Sequence, residues 1–522
     1  MAAEDHRDDL AEALERRRVT RDEARPEAVE RRHEAGGRTA RENIEDLVDP
    51  GSFVEYGGLA IAAQRARREM RELIERTPAD GLIAGTAQIN GALFGEEAGA
   101  CAVLSYDYTV LAGTQGALGH KKKDRLFELI ERMRLPTVFF AEGGGGRPGD
   151  TDYPAVSALD TRAFALWARL SGIVPRIAVA AGRCFAGNAV IAGSSDLIVA
   201  TENVSLGMGG PAMIEGAGLG KVDPDEIGPA PVQTANGVID VAVADETEAV
   251  AVTKRLLSYF QGSTPPGTEP DQARLRELVP EARRRAYRVE PVIETLADAG
   301  SVTFLRPAFA PEMVTALARI EGRPVGIIAN NTMQMAGAIT SAGADKAARL
   351  MQLCDAFGLP LLSLVDTPGM MVGPEAEATG LVRHCCRLMV TGAALRVPLI
   401  AVVLRRGYGL GAQAMVAGSL HEPLLTVAWP SAELGPMGLE GAVRLGLRRE
   451  LEAIADTEER DRRVRELTAA AERNAKALNA ATLFELDDVI DPAETRRLIA
   501  STLAAAAQHA PPGPQRRFVD SW

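Results

Sequence analysis

The chain has 522 residues, of which 46% are apolar and 25% charged, enough for two or three domains with real cores and too apolar for a disordered or fibrous protein. Lys and Arg number 58 against 71 Asp and Glu, and the net charge of −13 argues against a broad basic surface for nucleic acid. No run of eighteen apolar residues marks a membrane span, and an aromatic content of 4% is too low for stacking platforms for bases or sugars.

The first forty residues contain DDLAEALERRR and RPEAVERRHEAGG, charged helices interrupted by Pro26 and by Gly36 and Gly37, with no apolar core of a signal peptide. They read either as a solvated extension or as an arm laid over a neighbour. Downstream, short β-rich apolar runs alternate with helical patterns of ten or more residues, so the fold class is α/β, a largely parallel sheet covered by helices. Cysteines 101, 184, 354, 385 and 386 never form a Cys-x-x-Cys pair, which points to reduced thiols and a cytoplasmic protein.

The pattern occurs twice. Sliding the chain by 224 residues aligns AGTQGALGHKKKDRLFELIERMRLP (112–136) with AGAITSAGADKAARLMQLCDAFGLP (336–360) without a gap and with nine identities, Lys122 with Lys346 among them. Each helix ends at a Leu-Pro pair. TVFFAEGGGG and LLSLVDTPGM follow, each a buried strand entering a Gly-containing loop, then VPRIAVAAGRCFAGNAV and VPLIAVVLRRGYGLGAQAM. The entrances also agree, IEDLVDPGSFVE (44–55) matching IETLADAGSVTF (293–304) in six of twelve positions. Pro and Gly break both periodicities between the copies, giving an N-terminal domain with its helical arm at 1–262, a linker at 263–276 and a C-terminal domain at 277–522, whose tail after Ala510 reads as unpacked.

Side-chain chemistry is sparse. Of six histidines (6, 33, 120, 384, 421, 509), three lie in the N-terminal arm or the tail, and no Gly-x-Ser-x-Gly elbow supplies a serine partner to the others. His-Glu-x-x-His and clustered cysteines are missing, so no metal site is expected, and Gly143 to Gly146 with Arg147 fit neither a phosphate loop nor a dinucleotide fingerprint. Both halves share a strand ending in a Gly-rich turn, CFAGNA (184–189) and YGLGAQ (408–413). Such turns can aim main-chain N–H groups at one point and so stabilise an enolate or oxyanion without an ionising side chain. One such turn alone would more often serve close packing; two in matching copies favour paired oxyanion holes.

With GGRTARENIEDLVDPGSFVEYG, VDTPGMMVG, VAWPSAELGPMG and DDVIDPAETRRLI, these turns make the chain resemble the carboxyltransferase (β) subunits of biotin-dependent acyl-CoA carboxylases of the propionyl-CoA and methylcrotonyl-CoA type, from about residue 25 to residue 500. The resemblance implies two duplicated crotonase-like (ClpP/crotonase) domains of ββα units. It also implies a reaction in which carboxybiotin on a carrier protein releases CO2, the freed ureido nitrogen takes the acyl-CoA α-proton, and the enolate attacks CO2 at the α or vinylogous γ carbon. Carried over by position, the thioester pocket falls on the backbone of Gly187 and Asn188 and the biotin pocket on that of Leu410 and Gly411. CoA binding falls on Gly143, Gly144, Gly145, Gly146, Arg147 and Ala186, and biotin binding on Tyr408, Gly409 and Gln413. Lys121, Lys122, Lys123 and Arg125 form a positive cluster that attracts the CoA phosphates or simply faces water.

The chain departs from its relatives at Asn188, where Gly-Gly is common, and at Leu410 and Gln413, where the propionyl-type pattern is Tyr-Gly-Gly-Ala-Tyr-Asp. The Cβ atoms of Asn188 and Leu410 disfavour positive φ and narrow the pockets, and YGLGAQAM is closer to the methylcrotonyl type. None of the seven lysines sits in an Ala-Met-Lys-Met setting, so biotin must come on a separate carrier domain or subunit and ATP-dependent carboxylation from a partner. The resemblance further implies a homo-hexameric core. Two rival readings are a biotin-dependent acyl-CoA decarboxylase subunit, with the same site chemistry in reverse, and a catalytically silent assembly scaffold.

Overall fold

A computed structural model describes residues 7–153, 159–507 and 517–522. The backbone divides into two compact units, Met1–Gly262 and Ser263–Asp520, leaving aside the last two residues.

In the first unit, β1 (Val54–Glu55), β2 (Leu82–Gln88), β3 (Ala100–Tyr106), β4 (Thr137–Phe140), β5 (Arg176–Ala180), β7 (Leu197–Thr201) and β9 (Val241–Val243) form one sheet in that order. The first three strands are antiparallel; from β3 onward every pairing is parallel. The parallel strands TVFF, RIAVA and LIVAT are buried along their whole length, because a sheet covered on both faces leaves no position for a polar-out alternation. β6 (Arg183–Phe185) and β8 (Ser205–Gly207) pair separately, in parallel. The helix Ala117–Met133 turns Phe127 and Ile130 onto the core, where the Trp167 ring meets Phe127 at a tilt and Phe139 edge-on, with centroids 5.1 and 5.7 Å apart. Such aromatic pairs add about 1 kcal/mol each beyond burial.

The second unit has the same order of pairings: β10 (Thr303–Leu305), β11 (Met313–Ile320), β12 (Arg323–Asn330), β13 (Leu361–Thr367), β14 (Leu399–Tyr408), β15 (Leu425–Ala428) and β17 (Asp488–Val489), with β16 (Glu433–Gly435) parallel to the end of β14. Its long helix, Ser341–Phe357, is capped by the Thr340 hydroxyl accepting the Gly343 N–H and stops at Gly358, whose φ of 73° leads the chain into the Leu-Pro pair.

Backbone detail repeats at the offset read from the sequence. Leu111, Ala112 and Gly113 have φ of 50°, 54° and 62°, and Met335, Ala336 and Gly337 have φ of 45°, 55° and 82°. Left-handed conformation at two consecutive non-Gly residues is costly, and it persists only where the surroundings enforce it.

Three expectations are amended. Residues 263–276 pack on the second unit rather than linking freely: Thr264 N–H bonds to Gly322 O, Gly267 N–H to Asp298 Oδ2, and Leu275 is buried. The end of the tail is also docked. Val519 is buried, and the Asp520 carboxylate accepts from Arg387 at 2.6 Å and Gln352 at 3.2 Å; residues 508–516, the remainder of that stretch together with His509, lie outside the described residues. The N-terminal helices Asp8–Arg18 and Pro26–Glu34 break where the sequence indicates, but the second is anchored by Arg32, whose guanidinium bonds both oxygens of Glu142 at 2.9 and 2.6 Å.

Candidate active site

Each parallel strand delivers its loop to the same edge of its sheet. In the first unit β4 runs into Glu142 and then Gly143 to Gly146, and β6 runs through Ala186 into the short helix Gly187–Gly193. Gly143 pairs with Cys184 and Gly146 with Gln115. In the second unit β13 runs into Pro368 and Gly369, and β14 into the helix Gly409–Met415; Thr367 pairs with Gly407 and Met370 with Ile339. These partners match at an offset of 223 or 224 residues. Each loop also begins with a buried carboxylate held by arginine, Glu142 by Arg32 and Asp366 by Arg405 and Arg406 at 3.0 and 2.7 Å.

The strain of the turns falls one residue ahead of the expected donors. Ala186 has φ of 51° and Gly409 φ of 58°, whereas Asn188 and Leu410 are not among the positive-φ residues. The expected penalty on the Cβ atoms of Asn188 and Leu410 therefore does not arise. Asn188 is fully buried, its amide bonded to Gln115, Gly145, Gly113 and Glu142, whereas Leu410 is 63% exposed.

The first main-chain bond of the helix Gly187–Gly193 runs from Val190 N–H to Ala186 O, so the N–H groups of Gly187, Asn188 and Ala189 have no acceptor within the helix. Beside them, Gly143 N–H is taken by Arg183 O, Gly144 N–H by Ala112 O and Gly145 N–H by Asn188 Oδ1. The Gly146 N–H meets no acceptor among the described residues, and its surroundings are open: a Cβ there would have nothing within 4 Å. In the second unit, Gly369 N–H bonds to Thr367 Oγ1 and Met371 N–H to Ile339 O, while the Met370 N–H between them is likewise unclaimed among the described residues. Gly411 must be glycine, because a Cβ would stand 2.6 Å from Gly369 C and 2.9 Å from Met370 N.

Several singled-out side chains are committed to the protein. Arg147 is almost wholly buried, bonding Asp80, Thr114 Oγ1 at 3.2 Å and Thr114 O at 2.9 Å, so its guanidinium props the glycine loop from behind. Tyr408 is buried and donates its hydroxyl to Glu433 at 2.8 Å. Gln413 is exposed and, with Gly409, Leu410, Lys476 and Asn479, lines a cavity of about 740 Å³ in the second unit.

The lysine cluster is not a surface patch. Lys121 is exposed, over the Tyr153 ring at 4.2 Å, but Lys122 and Lys123 are buried. Lys122 Nζ bonds Ala79 O at 3.0 Å and Leu82 O, as Lys346 Nζ bonds Phe309 O at 2.7 Å. Burial pushes the Lys122 ammonium down to about 8 and those of Lys123 and Lys346 to about 7. Sequence reasoning missed Gln115 and Tyr106 as partners of this group. The available signal was the helical spacing of Gly119, Lys123, Phe127 and Ile130, which sets Lys123 on the core-facing stripe.

No group of three or more metal-ligating side chains, and no helix long and apolar enough to cross a membrane, occurs among the described residues. What the two sheets present among the described residues is main chain: unclaimed amides at strand-to-helix turns in an α/β protein.

The carboxyl transferase domain model matches residues 31–518. The methylmalonyl-CoA carboxyltransferase 12S subunit of Propionibacterium freudenreichii subsp. shermanii is 34% identical over 486 residues, covering 91% of this chain and 90% of that protein. The biotin-dependent long chain acyl-coenzyme A carboxylase beta4 subunit of Mycobacterium tuberculosis is 31% identical over 525 residues, 95% of this chain and 93% of that protein. Among solved structures, a single-chain, multi-domain long-chain acyl-CoA carboxylase matches with a TM-score of 0.91 and 55% identity over 95% of this chain and 49% of that one. The chain thus spans about half the length of that carboxylase. Transcarboxylase 12S, solved as a hexamer with methylmalonyl-CoA and methylmalonic acid bound, matches with a TM-score of 0.85 and 31% identity over 100% of this chain and 99% of that one. The chain belongs to the carboxyl transferase family, the carboxyltransferases of biotin-dependent acyl-CoA carboxylases.

Proposed function

We propose that the two units are copies of a crotonase-like domain and that their turns hold the two negative oxygens of a carboxyl transfer, the thioester enolate at Gly187 and Asn188 and the biotin ureido oxygen at Leu410 and Gly411. The observation that carries this reading is the pair of unclaimed N–H groups at Gly146 and Met370, which occupy equivalent positions beside the two helix starts. A free amide beside a first-turn amide is the donor pair that a developing oxyanion needs, and it requires no reorganisation during reaction. Bare Gly144 and Gly146 let the thioester approach the loop closely, and both are exposed.

The chain's groups suit a ureido ring in the second unit. The cavity beside Gly409 and Leu410 is roomy, and the Gly411 turn next to it packs tightly against Gly369 and the Met370 N–H. When bound, biotin supplies the carboxyl group and the base that removes the α-proton. This chain orients the acyl-CoA, keeps the enolate oxygen against main-chain donors of the first unit and holds the ureido oxygen against those of the second. Buried Glu142, bonded to Arg32, and buried Asp366, bonded to Arg405 and Arg406, fix the start of each loop.

The substrate is a long-chain acyl-CoA, as the 55% identity to a long-chain carboxylase supports, against 29–32% for relatives named propionyl-CoA carboxylase beta chains or subunits. Biotin arrives on a separate carrier domain or subunit with its biotin carboxylase, in the cytoplasm, and the carboxyltransferase core is a homo-hexamer as in transcarboxylase 12S. ATP-dependent fixation of labelled bicarbonate with the partner chain, across a panel from acetyl-CoA to palmitoyl-CoA, tests this. Product confined to long chains supports the reading; no product with any acyl-CoA supports a silent scaffold.

A further inference from the structure

The donor turn of the first unit is backed by a buried polar chain that the chemistry above does not use. Lys123 has no exposed surface; its Nζ donates to the Tyr106 hydroxyl at 2.9 Å and to Gln115 Oε1 at 2.6 Å. Gln115 Nε2 in turn donates to Asn188 Oδ1 at 3.2 Å, and it is the atom a Cβ on Gly187 would meet at 2.7 Å. Asn188 Oδ1 also accepts the Gly145 N–H at 3.1 Å. A cation therefore stands behind the turn with one amide side chain between them.

We propose that Lys123 is a positioning residue that sets a buried positive charge behind the Gly187 and Asn188 turn, delivered through the Gln115 amide, and so favours a thioester enolate held there. This rests on the oxyanion reading of that turn. The Gln115 carbonyl faces the ammonium and its NH2 faces the turn, so the amide dipole presents its positive end to the ligand side and is polarised by the charge behind it.

Two observations separate this from plain packing. Among the described residues no carboxylate lies within ion-pair distance of Lys123 Nζ, so its charge is costly where a methionine would fill the same space without that penalty. The second unit, expected to face biotin rather than the thioester, has no such chain: at the equivalent positions stand Ala347, Ile339 and Gly411 in place of Lys123, Gln115 and Asn188.

Burial lowers Lys123 to about 7, opposed by the nearby carboxylates of Asp124 and Asp80. The other groups facing it keep their charge state near neutrality. His120 is held neutral, pushed down to about 3 by burial and by Lys123 and Arg147, and the Tyr106 hydroxyl is pushed well up by burial. Protonation of Lys123 then falls as pH rises through about 7, and with it the assistance to the enolate.

The test is carboxyl transfer to palmitoyl-CoA with the biotin-bearing partner between pH 6 and 9, for the native chain, Lys123→Met and Gln115→Leu. The native to Lys123→Met ratio of kcat is expected to be about tenfold below pH 7 and to approach unity above pH 8, with KM changed less than about twofold. Taking the ratio cancels titrations common to both proteins. Gln115→Leu should lose the same pH-dependent component although Lys123 remains. A ratio independent of pH, or a Gln115→Leu protein that keeps the native profile, overturns the proposal. Should Lys123→Met fail to fold, Tyr106→Phe removes one acceptor of the ammonium and should move the native midpoint to lower pH; an unmoved midpoint overturns it equally. Gly146→Pro, run in parallel, deletes a donor N–H. Loss of activity there with a flat Lys123 ratio rejects only the charge, whereas full activity of Gly146→Pro rejects the oxyanion reading itself.

Discussion

Asn188 Oδ1 accepts the N–H of Gly145 at 3.1 Å, tying the start of the turn helix to the glycine loop after β4. The rest of the Asn188 amide is also used: Oδ1 accepts from Gln115, and Nδ2 donates to Gly113 O and Glu142 O, both at 3.3 Å. A residue that departs from the common Gly-Gly pattern thus does not block the turn. It fastens three segments that a glycine would leave joined only by main chain.

Asn188→Ala should therefore destabilise the first unit by about 2–4 kcal/mol, because the buried Gly145 N–H and the two carbonyls lose their partners at once. Chemical denaturation followed by circular dichroism reads this, and a change below about 0.5 kcal/mol would show that water replaces the amide without cost.

Gly411→Ala is expected to be damaging for a different reason. Its Cβ would overlap Gly369 and Met370, which are backbone and cannot rotate aside, so the loop must move. Carboxyl transfer should fall about tenfold or more, while Gly216→Ala, where a Cβ has nothing within 4 Å, leaves it unchanged.

At Leu410 the side chain is exposed and only the N–H is assigned a role, so the informative comparison is Leu410→Pro against Leu410→Ala. Proline is tolerated in a first helical turn but has no N–H. A gap of about a hundredfold in transfer rate between the two variants is expected, and equal rates would remove this amide from the biotin pocket.

Stability should also report on Lys123. The unfolded lysine keeps its proton up to about 10.5 and the native one only up to about 7, so between these values the unfolded state binds more protons and native stability rises with pH. Lys123→Met lacks that rise. It should be the more stable protein below pH 7, with an advantage that shrinks as pH increases, read from denaturant midpoints at pH 6, 7.5 and 9.

The repeat was legible because it is written in apolar spacing and in the Gly and Pro positions that end each helix. The offset of 224 found in letters returns in backbone angles at Ala112 and Ala336. The turns were legible as Gly-rich strand ends. The burial of Lys122 and Lys123 was not, because a run of three lysines reads as a solvated face unless tertiary packing is known, and here sheet and helix close over two of them. The bond from Arg147 to Asp80 was not legible either, because the two lie 67 residues apart in sequence. The docked tail escaped notice because its contacts, from Asp520 to Arg387 and Gln352, are long-range.

The most direct measurement omits ATP: transfer of a carbon-14 carboxyl group from a carboxylated long-chain acyl-CoA to the biotin-bearing partner, comparing the native chain with Gly146→Pro. Main-chain stabilisation of the enolate predicts a fall of about a hundredfold with the fold intact by circular dichroism. A folded Gly146→Pro protein that transfers label at the native rate would contradict it.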